Sequence, residues 1–198
     1  MVSYVPYWCE ENVLRFLAGG VADSGAGVLD TRALFILPKN RSVAVFSQRA
    51  GRAGDGLVIW DYHAVALVGA PAVGCHGASW LVFDYDSNLD FGIGAERWLE
   101  ASFGPLGSFG SAGAAYAPLF RILDGPAYVE RFFSDRSHMK ATDGSWMEPP
   151  PPWPASEAAG VRPDERWTLA ELRDVGKKTG GGTCDLVGLR RFLDQGAC

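Results

Sequence analysis

Two apolar runs either side of a glycine-rich break constrain this chain most. Residues 57–68 are mainly β-branched, aromatic and aliphatic. Residues 80–86, Trp80-Leu81-Val82-Phe83-Asp84-Tyr85-Asp86, repeat that character, and glycine and proline punctuate residues 69–77 between them. Successive strands joined by so short a connection usually pair antiparallel. Further strands are expected at 33–37 and 42–48, joined as a hairpin through Pro38-Lys39-Asn40-Arg41, and at 119–123. Helical spacing of Val13, Phe16 and Leu17 predicts a helix beginning at Cys9 and stopped by Gly19-Gly20. Other helices are expected at 95–103 and at 126–133, the latter capped by Asp124 with Pro126 in its first turn. Two more follow, one opened by the capping box from Thr168 to Glu171 and one at 185–194. The fold class this implies is α+β: a central, mostly antiparallel sheet flanked by helices. With 198 residues and 47% hydrophobic content, the chain suits one globular domain with a sizeable core. That domain is expected over residues 1–175. Residues 176–198 read as a C-terminal extension, loosely attached through Gly180-Gly181-Gly182.

Charge and cysteine use exclude several classes. The formal net charge is -5 and no stretch gathers Lys and Arg, so no nucleic-acid partner is expected. The longest mostly apolar stretch, residues 64–74, is too short to span a bilayer, so no membrane association is expected. The start lacks a basic region followed by an apolar one, so no signal peptide is expected. The four cysteines, at 9, 75, 184 and 198, form no C-x-x-C pair and read as reduced thiols of a cytoplasmic or nuclear protein. Cys75-His76 lacks partners at ligand spacing, so no metal is expected.

Cys9 falls where its helix begins, in the positive field of the backbone dipole, which favours the thiolate. An isolated cysteine is otherwise most often a small buried core residue. Among the three histidines, His63 lies within an apolar strand run. Alternation puts Asp61, His63 and Val65 on one face of that strand, and Val82, Asp84 and Asp86 on one face of the next. If His63 stands opposite Asp84, antiparallel register sets Asp61 opposite Asp86. A cysteine nucleophile needs such a set: a base for the thiol proton and an acid to fix the imidazole tautomer. The bland alternative is a hydrogen-bonded core histidine beside a surface aspartate.

Five strings decide between these readings: Tyr-Trp-Cys-Glu-Glu-Asn-Val at 7–13, Val-Ile-Trp-Asp-Tyr-His at 58–63, Phe-Asp-Tyr-Asp-Ser at 83–87, Phe-Ser-Asp-Arg-Ser-His-Met-Lys at 133–140 and Trp-Met-Glu-Pro-Pro-Pro-Pro-Trp-Pro at 146–154. In content and order they resemble the protein N-terminal glutamine amidohydrolase family. The resemblance implies that Cys9, His63 and Asp84 carry catalysis, in the chain order of papain-like and transglutaminase-like enzymes. The implied reaction turns an N-terminal glutamine side chain into glutamate, releases ammonia, and feeds a degradation pathway that reads N-terminal residues. The implied protein is a monomer without metal or organic cofactor, and its substrates are proteins or peptides with a free N-terminal glutamine. An enzyme selective for a free α-amine needs a carboxylate for the ammonium. Asp61 with Asp86 is the expected partner, and Glu10 and Glu11 compete for the role. Trp60, Ser134 and Asp135 are expected at the same cleft. The alternatives are a catalytically silent module that binds N-terminal residues, a thiol peptidase or a transglutaminase.

Overall fold

The computed structural model describes residues 4–20, 30–51, 54–71 and 78–195. Its centre is β1 (Asp30–Pro38), a run so apolar that both faces must be covered. Ala33, Phe35 and Leu37 enter one core, and Leu34 and Ile36 enter the other. β1 pairs antiparallel with β4 (His63–Pro71) on one side and with β7 (Pro118–Asp124) on the other. β5 (Ala78–Phe83) and the short β6 (Ile93–Gly94) extend the sheet beyond β4, and β10 (Thr183–Cys184) closes it beyond β7. Every pairing in this six-stranded sheet is antiparallel.

Helices cover both faces. α1 (Cys9–Arg15), continued by a π-helical turn at Phe16–Gly20, lies over β4 with α4 (Gly125–Arg131) and α5 (Leu169–Arg173) on the same side. α2 (Ala95–Phe103) and α6 (Leu186–Gln195) bury Trp98, Leu99, Leu189 and Leu193 against the opposite face. The intervening α3 is Gly110–Ala115. The α+β expectation therefore holds at the level of a mostly antiparallel sheet between helical layers. Both caps appear as the sequence predicts: Asp124 accepts from the Ala127 amide at 3.0 Å, and Thr168 with Glu171 forms the capping box. Among the described residues no helix is long and apolar enough to cross a membrane.

Three expectations are corrected. The hairpin from 33–37 to 42–48 does not form; β2 (Val43–Val45) pairs instead with β3 (Val58–Trp60). A strand buried on both faces needs long partners, and β4 and β7 supply them where a three-residue β2 does not. The run at 57–68 is broken between β3 and β4, where the Asp61 carboxylate takes the Tyr62 amide at 3.1 Å. The β4–β5 register also differs. A His63–Asp84 pair would set Ala66 against Leu81, but Ala66 faces Phe83. The slip is two residues, which keeps every side chain on its face.

The tail is not loose. Arg121 on β7 is fully buried and donates to the carbonyls of Leu172, Thr179, Gly181, Asp174 and Lys177 at 2.7–3.0 Å. The chain at 172–181 is wrapped around one guanidinium, and β10 and α6 then complete the sheet and the second core. The other two short strands, β8 (Phe132–Phe133) and β9 (Trp167–Thr168), pair in parallel beside α5.

Candidate active site

β4 begins at His63, which is completely buried. β5 ends at Phe83, and Asp84 turns the chain off the sheet by accepting the Asp86 amide at 3.0 Å. The turn brings Asp84 Oδ1 to 2.8 Å from His63 Nε2, although the two are not ladder partners. Gln48 Nε2 at 3.2 Å and Trp98 Nε1 at 3.3 Å both donate to Asp84 Oδ2. Burial pushes the Asp84 pKa up, but the His63 charge, its hydrogen bond and Gln48 outweigh that and hold it below the ordinary carboxylate value. An ionised Asp84 only accepts, so Nε2 of His63 carries the proton. Nδ1 is then a lone pair, buried and without a hydrogen-bond partner among the described residues. Burial lowers the His63 pKa, and Asp84 more than reverses this, so the net shift is upward. Trp60 stacks on the imidazole, with centroids 5.4 Å apart and planes 13° from parallel.

Cys9 opens α1 and is 7% exposed. Its sulfur meets the backbone of Ala64, the residue after His63, and lies 3.6 Å from Glu10 Oε2. The helix-dipole expectation for this thiol is overturned. Burial first, then the charges of Glu10 and Asp86, push the Cys9 pKa well up, and the resting group is a neutral thiol. A first-turn amide field does not compensate for desolvation plus two nearby carboxylates.

A cavity of about 250 Å³ opens over this sulfur. Trp60, Asp61, Tyr62, Asp86 and His138 line it with Cys9, and Tyr7, Met139, Met147 and Arg173 form the rest of its wall. Asp61 and Asp86 share the cavity but do not face each other across the sheet. Asp61 is largely exposed and bonded to Arg173 at 2.7 Å. Asp86 is buried and accepts from Tyr4 Oη at 2.5 Å, and among the described residues it forms no ion pair. Burial, above any other influence, raises its pKa.

The remaining sequence candidates take other positions. Glu11 is fully engaged: Ser134 Oγ at 2.8 Å, Arg136 Nε and Nη2 at 2.7 Å each, and Trp153 Nε1 at 2.8 Å all donate to it. With Trp8 Nε1 donating to the Pro149 carbonyl at 3.0 Å, this ties the proline run to α1. Asp135 accepts from the Ser137 amide at 2.9 Å and starts the turn Ser137–Met139 that presents His138. Glu10 is buried between Cys9 and His138. Gln48, Tyr62 and Trp98 carry roles the sequence did not reveal, because each acts through a carboxylate on another element. His63, Asp84 and Asp86 bring ligand-type atoms within 4.8 Å of one another. The His63–Asp84 and Tyr4–Asp86 bonds already occupy that group. Cys75-His76 lies outside the described residues.

Comparison with known proteins gives the chain a family. The family model described as N-terminal glutamine amidase matches residues 4–184. A rice (Oryza sativa subsp. indica) protein N-terminal glutamine amidohydrolase is 37% identical over 153 residues, covering 75% of this chain and 63% of its own. A human protein of the same name is 31% identical over 179 residues, covering 90% of this chain and 81% of its own. One from Drosophila ananassae is 33% identical over 156 residues, covering 77% and 70%. The chain thus spans under two thirds of the rice relative's length and more of the other two. It belongs to the N-terminal glutamine amidase family, enzymes named for hydrolysis of an amide bond.

Proposed function

We propose that this chain hydrolyses the side-chain amide of an N-terminal glutamine to glutamate, with Cys9 as nucleophile, His63 as proton carrier and Asp84 as its orienting acid. One observation carries the reading. His63 gives one nitrogen to a saturated buried carboxylate and keeps the other unpartnered, on the strand whose next amide reaches the Cys9 sulfur. A satisfied core histidine would leave no such lone pair.

The steps balance as two transfers. His63 Nδ1 takes the thiol proton as sulfur bonds to the amide carbon. The backbone amide of Cys9, at the start of α1, faces the developing oxyanion. The imidazolium returns the proton to nitrogen, the C–N bond breaks, ammonia leaves, and a γ-glutamyl thioester remains. Water then adds with His63 as base, and the C–S bond breaks to give the acid and the thiol. Because Cys9 rests protonated, attack and proton removal occur together. The helix, histidine-strand and acid-strand order supports a papain-like or transglutaminase-like core.

Asp86 is the carboxylate we assign to the substrate α-ammonium. It lines the cavity, is buried, and among the described residues lacks a basic partner, whereas Asp61 has Arg173 and Glu11 has Arg136. A cation arriving there relieves the burial that raises its pKa. The enzyme acts as a monomer on cytoplasmic or nuclear proteins and supplies N-terminal glutamate to degradation machinery that reads N-terminal residues. Ammonia release from a Gln-first peptide tests the assignment. The wild type and Asp86→Asn should both turn over, with KM raised about tenfold or more in the variant, the loss of one charge-assisted contact. Unchanged KM in Asp86→Asn would remove it from the amine site.

A further inference from the structure

Glu10 is a completely buried carboxylate that touches the nucleophile. Its Oε2 accepts from Tyr62 Oη at 2.7 Å and from the Cys9 thiol at 3.6 Å. Its Oε1 has no hydrogen-bond partner among the described residues. That oxygen stands 3.5 Å from His138 Nε2, which has none among them either. Two buried polar atoms left open and facing each other are costly unless one proton lies between them. His138 is held edge-on to Trp8, with centroids 5.5 Å apart, and it lines the cavity. The steps above use neither residue.

We propose that Glu10 and His138 form a dyad sharing one proton, and that this proton decides when Cys9 gives up its own. The inference rests on the reading of Cys9 as nucleophile. With the shared proton present the dyad is neutral, and the sulfur can pass its proton to His63. Without it, Glu10 places a full negative charge against the sulfur and keeps the thiol intact. Both residues are positioning residues that act through Cys9.

The surroundings leave the dyad to itself. Glu10 faces Cys9 and Glu11 on its own helix, Tyr62 and His63 from the sheet side, and Tyr128 from α4, whose hydroxyl donates to the Glu10 carbonyl at 3.0 Å. Among the described residues, His138 brings the only ionisable nitrogen within 4.0 Å of the Glu10 carboxylate. His138 faces Asp135 on its own turn, Glu11 on α1, Asp61, and Arg173 on α5. Arg173 is already paired with Asp61. Burial above all pushes Glu10 up to about 7, and burial with Arg173 pushes His138 down. The dyad thus holds its proton below about pH 7 and gives it up above that value.

The test is the pH dependence of Cys9 alkylation by iodoacetamide, followed by mass on the Cys9-containing peptide because the chain has 4 cysteines. Glu10→Gln keeps the Tyr62 contact and removes the charge. Its alkylation midpoint should fall by about one pH unit, which is about tenfold faster modification above pH 7, where the wild-type dyad has lost its proton, and little change below it. His138→Gln places an amide donor on Glu10 Oε1, stabilises the carboxylate, and should move the midpoint up. In the Glu10→Gln background, His138→Gln should do nothing. The proposal is overturned if Glu10→Gln leaves the midpoint in place or raises it, or if His138→Gln shifts it equally in both backgrounds. If circular dichroism shows Glu10→Gln unfolded, His138→Gln alone decides, and no upward shift is a refutation. Alkylation does not depend on turnover, so an active Cys9→Ala variant would refute the amidase reading separately.

Discussion

At the residue scale, the chemistry turns on how burial redistributes protons. His63 is held with its lone pair open because Asp84 is saturated by four donors: His63, the Asp86 amide, Gln48 and Trp98. Asp84→Asn presents an amide that can donate to Nε2, reverses the tautomer, and should cost on the order of a hundredfold or more in kcat with little change in KM, read by steady-state kinetics. Glu10 carries a separate consequence for stability. Its carboxyl rises from 4.5 in the unfolded chain to about 7 in the fold. The folded state therefore binds the extra proton between those values. The stabilisation is fully present below pH 4.5 and is lost as pH rises through about 7. Glu10→Gln should accordingly raise the unfolding free energy at pH 8 by up to roughly 3 kcal/mol and change it little at pH 4, measured by urea titration at both pH values. The sequence allowed cysteine, histidine and aspartate to be named as candidates, because Cys9 opens a helix, His63 begins a strand and Asp84 directly follows one. It did not show that Cys9 rests neutral. That depends on Glu10 and Asp86 closing around the sulfur, which no local spacing reveals.

At the element scale, two polar anchors hold the site together from outside it. Glu11 and Arg136 form a bidentate pair that also collects Ser134 and Trp153, and so fixes the proline run against α1. Arg136 sits at φ 56°, a left-handed conformation that this clamp maintains. Arg136→Lys loses the two-pronged contact and should release the turn carrying His138, raising KM more than it lowers kcat in a peptide assay. Arg121 is the second anchor. Arg121→Met leaves five carbonyls without their donor and should cost about 3 kcal/mol or more, with faster hydrogen exchange confined to residues 172–184. The capped helices α4 and α5 were readable because their caps are local. Strand pairing was not. The expected hairpin failed because partner choice for β1 depended on β7, more than eighty residues downstream in sequence.

At the scale of the whole molecule, the sheet separates two cores and places the reaction on one of them. Cys9, Tyr62 and Ala64 pack with the α1 side, while Trp98 reaches Asp84 from the other. β10 and α6 belong to the second core, together with the Trp98 that donates to Asp84. A chain ended at residue 175 should lose cooperative thermal unfolding or drop its Tm by 10 °C or more, on the order of the burial of two leucines and an edge strand.

The acyl-enzyme is the most direct test of the whole account. Wild-type protein is mixed with a Gln-first peptide, quenched in acid, and the Cys9-containing peptide is weighed. A transient peptidyl adduct should form on Cys9, absent with an Nα-acetylated peptide and absent in Cys9→Ala, which also releases no ammonia. Deamidated product from Cys9→Ala, with no adduct ever seen on the wild-type cysteine, would contradict it.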